Sequence, residues 1–168
     1  MTARTSDPST RELLLRDVEQ GDLPYFFENQ LDSEANRMAA LTAKDPSDRD
    51  AFMARWARIL GDSTTTTRTI VLGGQVAGHV STWVNAGHLE VTYWVAKRYW
   101  GQGGATRALS LSLEHVVKAR PVQAHAVRDN VASLRVLEKC GFIRCGEARD
   151  FANGRGEEVE EVILVLRA

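Results

Sequence analysis

The residues best placed to do chemistry lie in a run from Val95 to Thr106, which reads Val-Ala-Lys-Arg-Tyr-Trp-Gly-Gln-Gly-Gly-Ala-Thr and joins a segment of strand-like alternation to one of helical spacing. Glycines at 101, 103 and 104 lack a Cβ, so the backbone there can turn tightly enough for successive N–H groups to converge on one anion. The positive end of the helix that follows adds to the attraction. A pyrophosphate suits such a loop, and so, from spacing alone, does a purely structural turn. Two other phosphate motifs are excluded: the chain has no GxxxxGK[ST], and Thr106 stands where a Rossmann GxGxxG needs its third glycine. A second cluster begins at Asn130 and Ser133, where Asn130 reads as a helix N-cap and Ser133 as a hydroxyl on the first turn. The histidines at 79, 88, 115 and 125 have no mutual spacing of a metal site. His79 and His125, both in expected strands, read as satisfied or half-exposed structural residues.

These segments need elements to hold them. Met1 to Arg11 is polar and aperiodic and is expected to be a mobile tail, leaving 12–168 as one domain. Leu13, Leu14, Leu15 and Val18 suggest a first strand ending at Gln20-Gly21-Asp22, and a helix starts near Asp22 with Pro24 in its first turn. Ser47 followed by Asp50 resembles an acidic capping box ahead of Phe52, Trp56, Ile59 and Leu60, a second helix that stops at Gly61. The intervening stretch from Leu31 to Pro46 has no clean period and suits either a substrate-shaping segment or a connector. From Thr66 the composition turns β-branched and aromatic. Arg68 to Leu72, Gln75 to Val84 and Leu89 to Ala96 form three antiparallel strands joined at Gly73-Gly74 and Asn85-Ala86-Gly87. Alternation in the last puts Leu89, Val91, Tyr93 and Val95 on one face and Glu90, Thr92, Trp94 and Ala96 on the other. A helix carrying Ala105, Leu109, Leu113, Val116 and Val117 then runs toward Pro121, followed by a short strand, Val122 to Val127. A helix from Asp129 or Asn130 ends at Cys140 and Gly141, and a hairpin from Phe142 to Leu166 turns at Asn153-Gly154.

Composition narrows the function. With 168 residues, 43% apolar and 26% charged, the chain has the usage of one ordinary soluble domain. A net charge of −1 argues against a nucleic-acid partner, whose footprint is normally basic. No leader-like or membrane-spanning apolar run is found, so a cytoplasmic protein with no membrane partner is expected. Cys140 and Cys145 lack CxxC spacing and read as reduced thiols.

The motifs also resemble those of a known family. Arg98-x-x-Gly101-x-Gly103, with Ala105 beyond it, is similar to the R-x-x-G-x-G/A acetyl-CoA signature of GNAT enzymes. Asn130-x-x-Ser133-x-x-Val136-Leu137-Glu138-Lys139-Cys140-Gly141-Phe142 resembles the N-x-x-S/A…E-K-x-G-F helix that lies beside the cofactor. Both occur in the family's order, and the wording around Tyr93-Trp94-Val95 is closest to the ribosomal-protein N-terminal acetyltransferase-like branch.

The resemblance implies an α+β (α/β three-layer) GNAT-like domain. Its mixed, mostly antiparallel sheet has about seven strands and about four flanking helices, with a splay between strands 4 and 5. It implies an N-acetyltransferase that moves the acetyl group of acetyl-CoA, as cosubstrate and without a metal, directly onto a primary amine of a peptide N-terminus or small molecule. A non-catalytic CoA-binding sensor, or more distantly a protein-interaction module, is the alternative.

By the same resemblance, Arg98, Tyr99, Trp100, Gly101, Gln102, Gly103, Gly104, Ala105 and Thr106 hold the pyrophosphate, and the backbone of Trp94, Val95 and Ala96 pairs with the pantetheine arm. Asn130, Ser133 and Lys139 also line the cofactor. The Val95 N–H stabilises the oxyanion, and Glu90 serves as base. Ser133 serves as acid, because the tyrosine that the family often supplies is Leu137 here. Homodimers are common in the family. The acceptor is expected between Phe26–Phe52 and the Phe151–Glu157 tip, where Asp32, Glu34, Asp150, Glu157 and Glu158 are compatible with a cationic amine.

Overall fold

The structure, a computed structural model, describes residues 11–168, so nearly all of the expected tail lies outside the described residues. Its strands are β1 (Leu13–Asp17), β2 (Thr66–Leu72), β3 (Gln75–Asn85), β4 (His88–Val95), β5 (Val122–Val127), β6 (Ile143–Ala152) and β7 (Glu157–Leu166). Its helices are α1 (Leu23–Gln30), α2 (Ser33–Ala39), α3 (Arg49–Gly61), α4 (Gly104–His115) and α5 (Val131–Lys139), with short 3-10 turns at Gln20–Asp22 and Lys97–Tyr99. The strands form one sheet in the order β1-β2-β3-β4-β5-β7-β6. Every neighbouring pair is antiparallel except β4 and β5, which run parallel.

Alternation along the strands divides the apolar residues between two layers. Val80, Val91, Val122, Ala124 and Leu164 pack with Leu109 and Leu113 of α4 and Leu134 and Leu137 of α5. On the opposite face Leu23, Phe26 and Phe27 of α1 meet Phe52 and Trp56 of α3. The His79 imidazole of β3 is wedged among these rings, its centroid 4.9 Å from both Phe26 and Trp56. Burial, with the Arg55 charge adding, pushes its pKa down to about 3, so it is a neutral packing residue.

Three local expectations change. The N-cap of α3 is Asp48, whose carboxylate accepts from the Ala51 N–H at 3.0 Å, while the Ser47 hydroxyl turns back to Asp45. The stretch from Leu31 to Pro46 contains α2, capped by Asp32 through the Ala35 N–H at 2.9 Å. This helix has seven residues and buries Ala35 and Asn36 rather than an apolar stripe, so no hydrophobic period announces it. The sheet is thus flanked by α1–α5, one helix more than expected. In the β6–β7 turn the left-handed residue is Gly156, at φ 67°, not Gly154.

The first strand is tied to α1 by a buried carboxylate. Asp22 is 2% exposed and accepts from both terminal nitrogens of Arg16 at 2.7 and 2.8 Å, from the Thr69 hydroxyl at 2.7 Å and from the Glu19 N–H at 2.9 Å. Burial alone would raise its pKa. The Arg16 hydrogen bonds, the Glu19 N–H, Thr69 and the Arg16 charge outweigh it and hold the carboxyl below its ordinary value. Removing the charge from one side of a buried pair costs about 3 kcal/mol, so Asp22→Asn is expected to lower the unfolding free energy by about that amount in urea titration. Because the folded pKa is depressed, the stabilisation is complete above pH about 4 and is lost as pH falls through the lower folded value, a dependence absent from the variant.

Candidate active site

The parallel pair leaves a gap in the sheet. Strands β4 and β5 are in register at Glu90 and Gln123 and part beyond that point toward their C-terminal ends. The Ala96 N–H donates to the Ala77 carbonyl at 2.8 Å on the β3 side, so strand alternation turns the Val95 N–H to the opposite edge, toward the gap. The Val95 carbonyl, which shares that edge, accepts from the Trp100 indole N–H at 2.9 Å, and Trp100 thereby braces the loop. Gly78 of β3 permits this arrangement. A Cβ there would sit 1.8 Å from the Trp94 carbonyl oxygen, so only glycine allows β3 and β4 to approach so closely.

Beyond β4 the glycine loop has the form expected of an anion cradle. Gly101 and Gly103 lie at φ 74° and 73°, in the left-handed region that favours glycine. The first helical bond of α4 runs from the Arg107 N–H to the Gly103 carbonyl, and no side chain caps the helix. Among the described residues, the N–H groups from Gly101 to Thr106 therefore have no protein acceptor. The Arg98 guanidinium folds over the Tyr99 ring at 4.8 Å and reaches the Val76 carbonyl. The Gln102 amide donates to the Arg98 carbonyl at 3.2 Å, which stiffens the turn. Cys140 Sγ lies 3.5 Å from the Thr106 carbonyl, so the last turn of α5, with its exposed Lys139, stands beside the first turn of α4.

At the closed end of the gap Glu90 is 8% exposed. Its Oε2 accepts from the Asn85 amide at 3.2 Å, and its Oε1 lies 3.0 Å from His125 Nε2. His125 Nδ1 in turn lies 3.7 Å from Oε1 of Glu161, a β7 carboxylate that is 4% exposed. One imidazole thus bridges two buried carboxylates. The contact with Glu161 raises the His125 pKa most, burial opposes it, and the charges of Glu90 and Glu161 raise it further. At 3.7 Å the Glu161 contact is an ion pair, while the Glu90 oxygen is the one at hydrogen-bond distance. The sequence alone reads His125 as a structural residue. Its partners lie on two other strands and no spacing along the chain could connect them, although a histidine and a glutamate on strands expected to be neighbours were the available signal.

On the other face of β4 the Tyr93 hydroxyl meets Ser133 Oγ at 2.8 Å and also reaches the Ser133 carbonyl at 3.3 Å. Burial pushes the Tyr93 pKa up to about 12, the Ser133 hydrogen bond opposing. The sequence puts Tyr93 on one face of the strand and in the Tyr93-Trp94-Val95 wording, and assigns its hydroxyl no role. Asn130 caps α5, its Oδ1 accepting from the Ser133 N–H at 3.2 Å, and its amide donates to the Met38 carbonyl at 3.1 Å.

That last bond belongs to a set by which α2 and the residues after it span the wide end of the gap. Glu34 pairs with Lys97 beyond β4. Arg155, on the β6–β7 turn, donates to the Arg37 carbonyl and forks onto both oxygens of Asp129 beyond β5. The Gly154 N–H donates to the Ala40 carbonyl at 2.8 Å. Of the acidic residues expected to face a cation, Asp32 and Glu34 are therefore occupied as a cap and an ion-pair partner.

The family model described as an acetyltransferase (GNAT) domain matches residues 12–143. No curated protein matches the chain in sequence. Among solved structures, Mycobacterium smegmatis RimJ in complex with CoA-disulfide superposes with a TM-score of 0.78 at 20% identity, over 93% of this chain and 82% of that one. Spermidine N-acetyltransferase from Vibrio cholerae, in complex with CoA and spermine, gives a TM-score of 0.75 at 20% identity over 91% and 95% of the two chains. The microcin C7 self-immunity acetyltransferase MccE, in complex with acetyl-CoA and AMP, gives 0.74 at 17% identity over 95% and 94%. At these identities the likeness is one of fold.

Gly78→Ala forces the Trp94–Val95 backbone to move and is expected to cost about 2 kcal/mol in denaturant unfolding. Gly61→Ala, where an added methyl meets nothing at the end of α3, is the control and should leave stability unchanged or raise it by up to about 1 kcal/mol.

Proposed function

The chain belongs to the GNAT acetyltransferase family, which makes it an acyl-CoA-dependent acetyltransferase, and on that premise we propose that it transfers the acetyl group of acetyl-CoA to a primary amine in a ternary complex. The observation that carries this reading is the run of N–H groups from Gly101 to Thr106 without acceptors among the described residues, at one end of an open seam whose other end holds the buried Glu90. The acceptor classes we favour are a peptide N-terminus and a small polyamine, and the domain spans residues 12–168.

In this reading the loop from Arg98 to Thr106 holds the pyrophosphate through its backbone, and Lys139 adds a cation from the neighbouring helix turn. Bound acetyl-CoA supplies an activated acyl thioester. The Val95 N–H, turned into the seam, donates to the oxyanion, and the open edge from Trp94 to Ala96 aligns the pantetheine arm. Glu90 takes a proton from the amine, which can attack only through a free lone pair. Ser133 donates toward the leaving sulfur, and Tyr93, hydrogen-bonded to its oxygen, fixes the direction of that hydroxyl. Asn130 holds α5 against the seam as its cap.

One observation favours a second reading. Leu137 occupies the position where the family often carries its tyrosine acid, as a CoA-binding domain without turnover would allow. Acetyl-CoA at one hundred times its dissociation constant should raise stability by about 2.7 kcal/mol in thermal unfolding, with NAD and ATP as inert controls. Release of CoA thiol is then followed with spermidine and with peptides bearing free N-termini. Glu90→Gln should lower turnover by about 10²-fold while acetyl-CoA affinity stays within about twofold. Binding without turnover of any amine would select the second reading, and no binding would remove both.

A further inference from the structure

The net reaction joins an ammonium, R–NH3+, and acetyl-CoA to give the amide R–NH–COCH3, CoA thiol and one proton. The N–C bond forms as the C–S bond breaks. Of the two protons the nitrogen loses, one ends on the CoA sulfur and the other must leave the protein. Glu90 is poorly placed to release it, because its side chain is only 10% exposed and one of its oxygens is engaged by Asn85. The His125 side chain is 30% exposed, and its Nε2 lies 3.0 Å from the other Glu90 oxygen.

We propose that His125 is the proton exit of the acceptor site: it takes through Nε2 the proton that Glu90 receives from the amine and passes it to water, while Glu161 holds the ring in line. This inference rests on the transferase reading above. His125 touches neither substrate in this scheme and acts through Glu90. The charged groups facing it are Glu90 on β4 and Glu161 on β7, and His88, at the start of β4, reaches the same edge through Gln123 at 3.3 Å. Asp129 and Arg155, beyond the end of β5, are paired with each other.

A relay must be neutral to accept. The carboxylates that favour the imidazolium therefore set the acid limb of the pH profile, and turnover rises as pH passes upward through the raised His125 pKa. Two variants separate this role from a structural one. His125→Gln should lower kcat by about tenfold or more, abolish the imidazole-controlled limb and be partly rescued by imidazole added to the buffer. Glu161→Gln removes a carboxylate that retains the proton, so its limb should move to lower pH by about one unit. At pH 6 that variant should be several-fold faster than wild type.

The experiment is the pH profile of CoA release for wild type and both variants, using the fastest amine among spermidine and the free peptides, beside an NMR titration of the His125 ring. Wild-type limbs in His125→Gln, an absence of imidazole rescue, or an unmoved or raised limb in Glu161→Gln would each overturn the relay. A wild-type protein that binds acetyl-CoA and turns over no amine would instead sink the transferase reading, and the relay with it. Active wild type with unaffected variants sinks the relay alone.

Discussion

The structure depends on a place where backbone pairing stops. Parallel strands β4 and β5 are in register at Glu90 and Gln123 and then diverge, and each unpaired N–H and carbonyl along their facing edges needs a partner other than its neighbour strand. The Trp100 indole satisfies the Val95 carbonyl, and the Val95 N–H is left facing the gap. The gap persists because both flanks are independently anchored. Strand β4 is fully paired with β3, and β5 is fully paired with β7. Gly78 lets the β3–β4 contact tighten where the gap opens.

Around this gap the two faces of the sheet have different tasks. The face covered by α4 and α5 supplies the uncapped glycine loop and a hydroxyl pair, Tyr93 and Ser133. The face bearing Glu90, His125 and Glu161 sets one imidazole between two buried carboxylates. A lone buried carboxylate is costly. One imidazole serving two of them offsets that cost, and the charge of that imidazole depends on pH. Its sign follows from the raised His125 pKa: the ion-pair stabilisation is whole below the ordinary imidazole value and is lost as pH rises through the folded one.

The strap formed by α2 and the β6–β7 turn spans the wide end. It is held by polar contacts, with Arg155 joining Arg37 to Asp129 and Asn130 joining α5 to Met38, and by a small apolar cluster of Ala40, Val127, Ala152 and Val159. Such contacts need exact backbone placement. Gly154 illustrates this, since a Cβ there would fall 2.2 Å from the Asn36 carbonyl oxygen.

Local physics made much of this legible in the amino-acid sequence. Two-residue alternation located β2, β3 and β4, helical spacing located α3 and α4, and Gly141, left-handed at φ 94°, marked the end of α5. The glycine loop was legible because both its residue types and its site between strand and helix are local properties. Helix α2 was not, because it buries no apolar stripe and is held by a cap and by distant donors to its own carbonyls. The Asn153-Gly154 signal correctly marked a turn, yet Gly154 is there for close packing and Gly156 takes the left-handed conformation. The sequence by itself determined the type of nearly every element, the place of the glycine loop between strand and helix, and the family. Tertiary structure alone decided that Glu90, His125 and Glu161 form one row and that Tyr93 meets Ser133, because those pairs come from different elements and their distances are set by strand order and register.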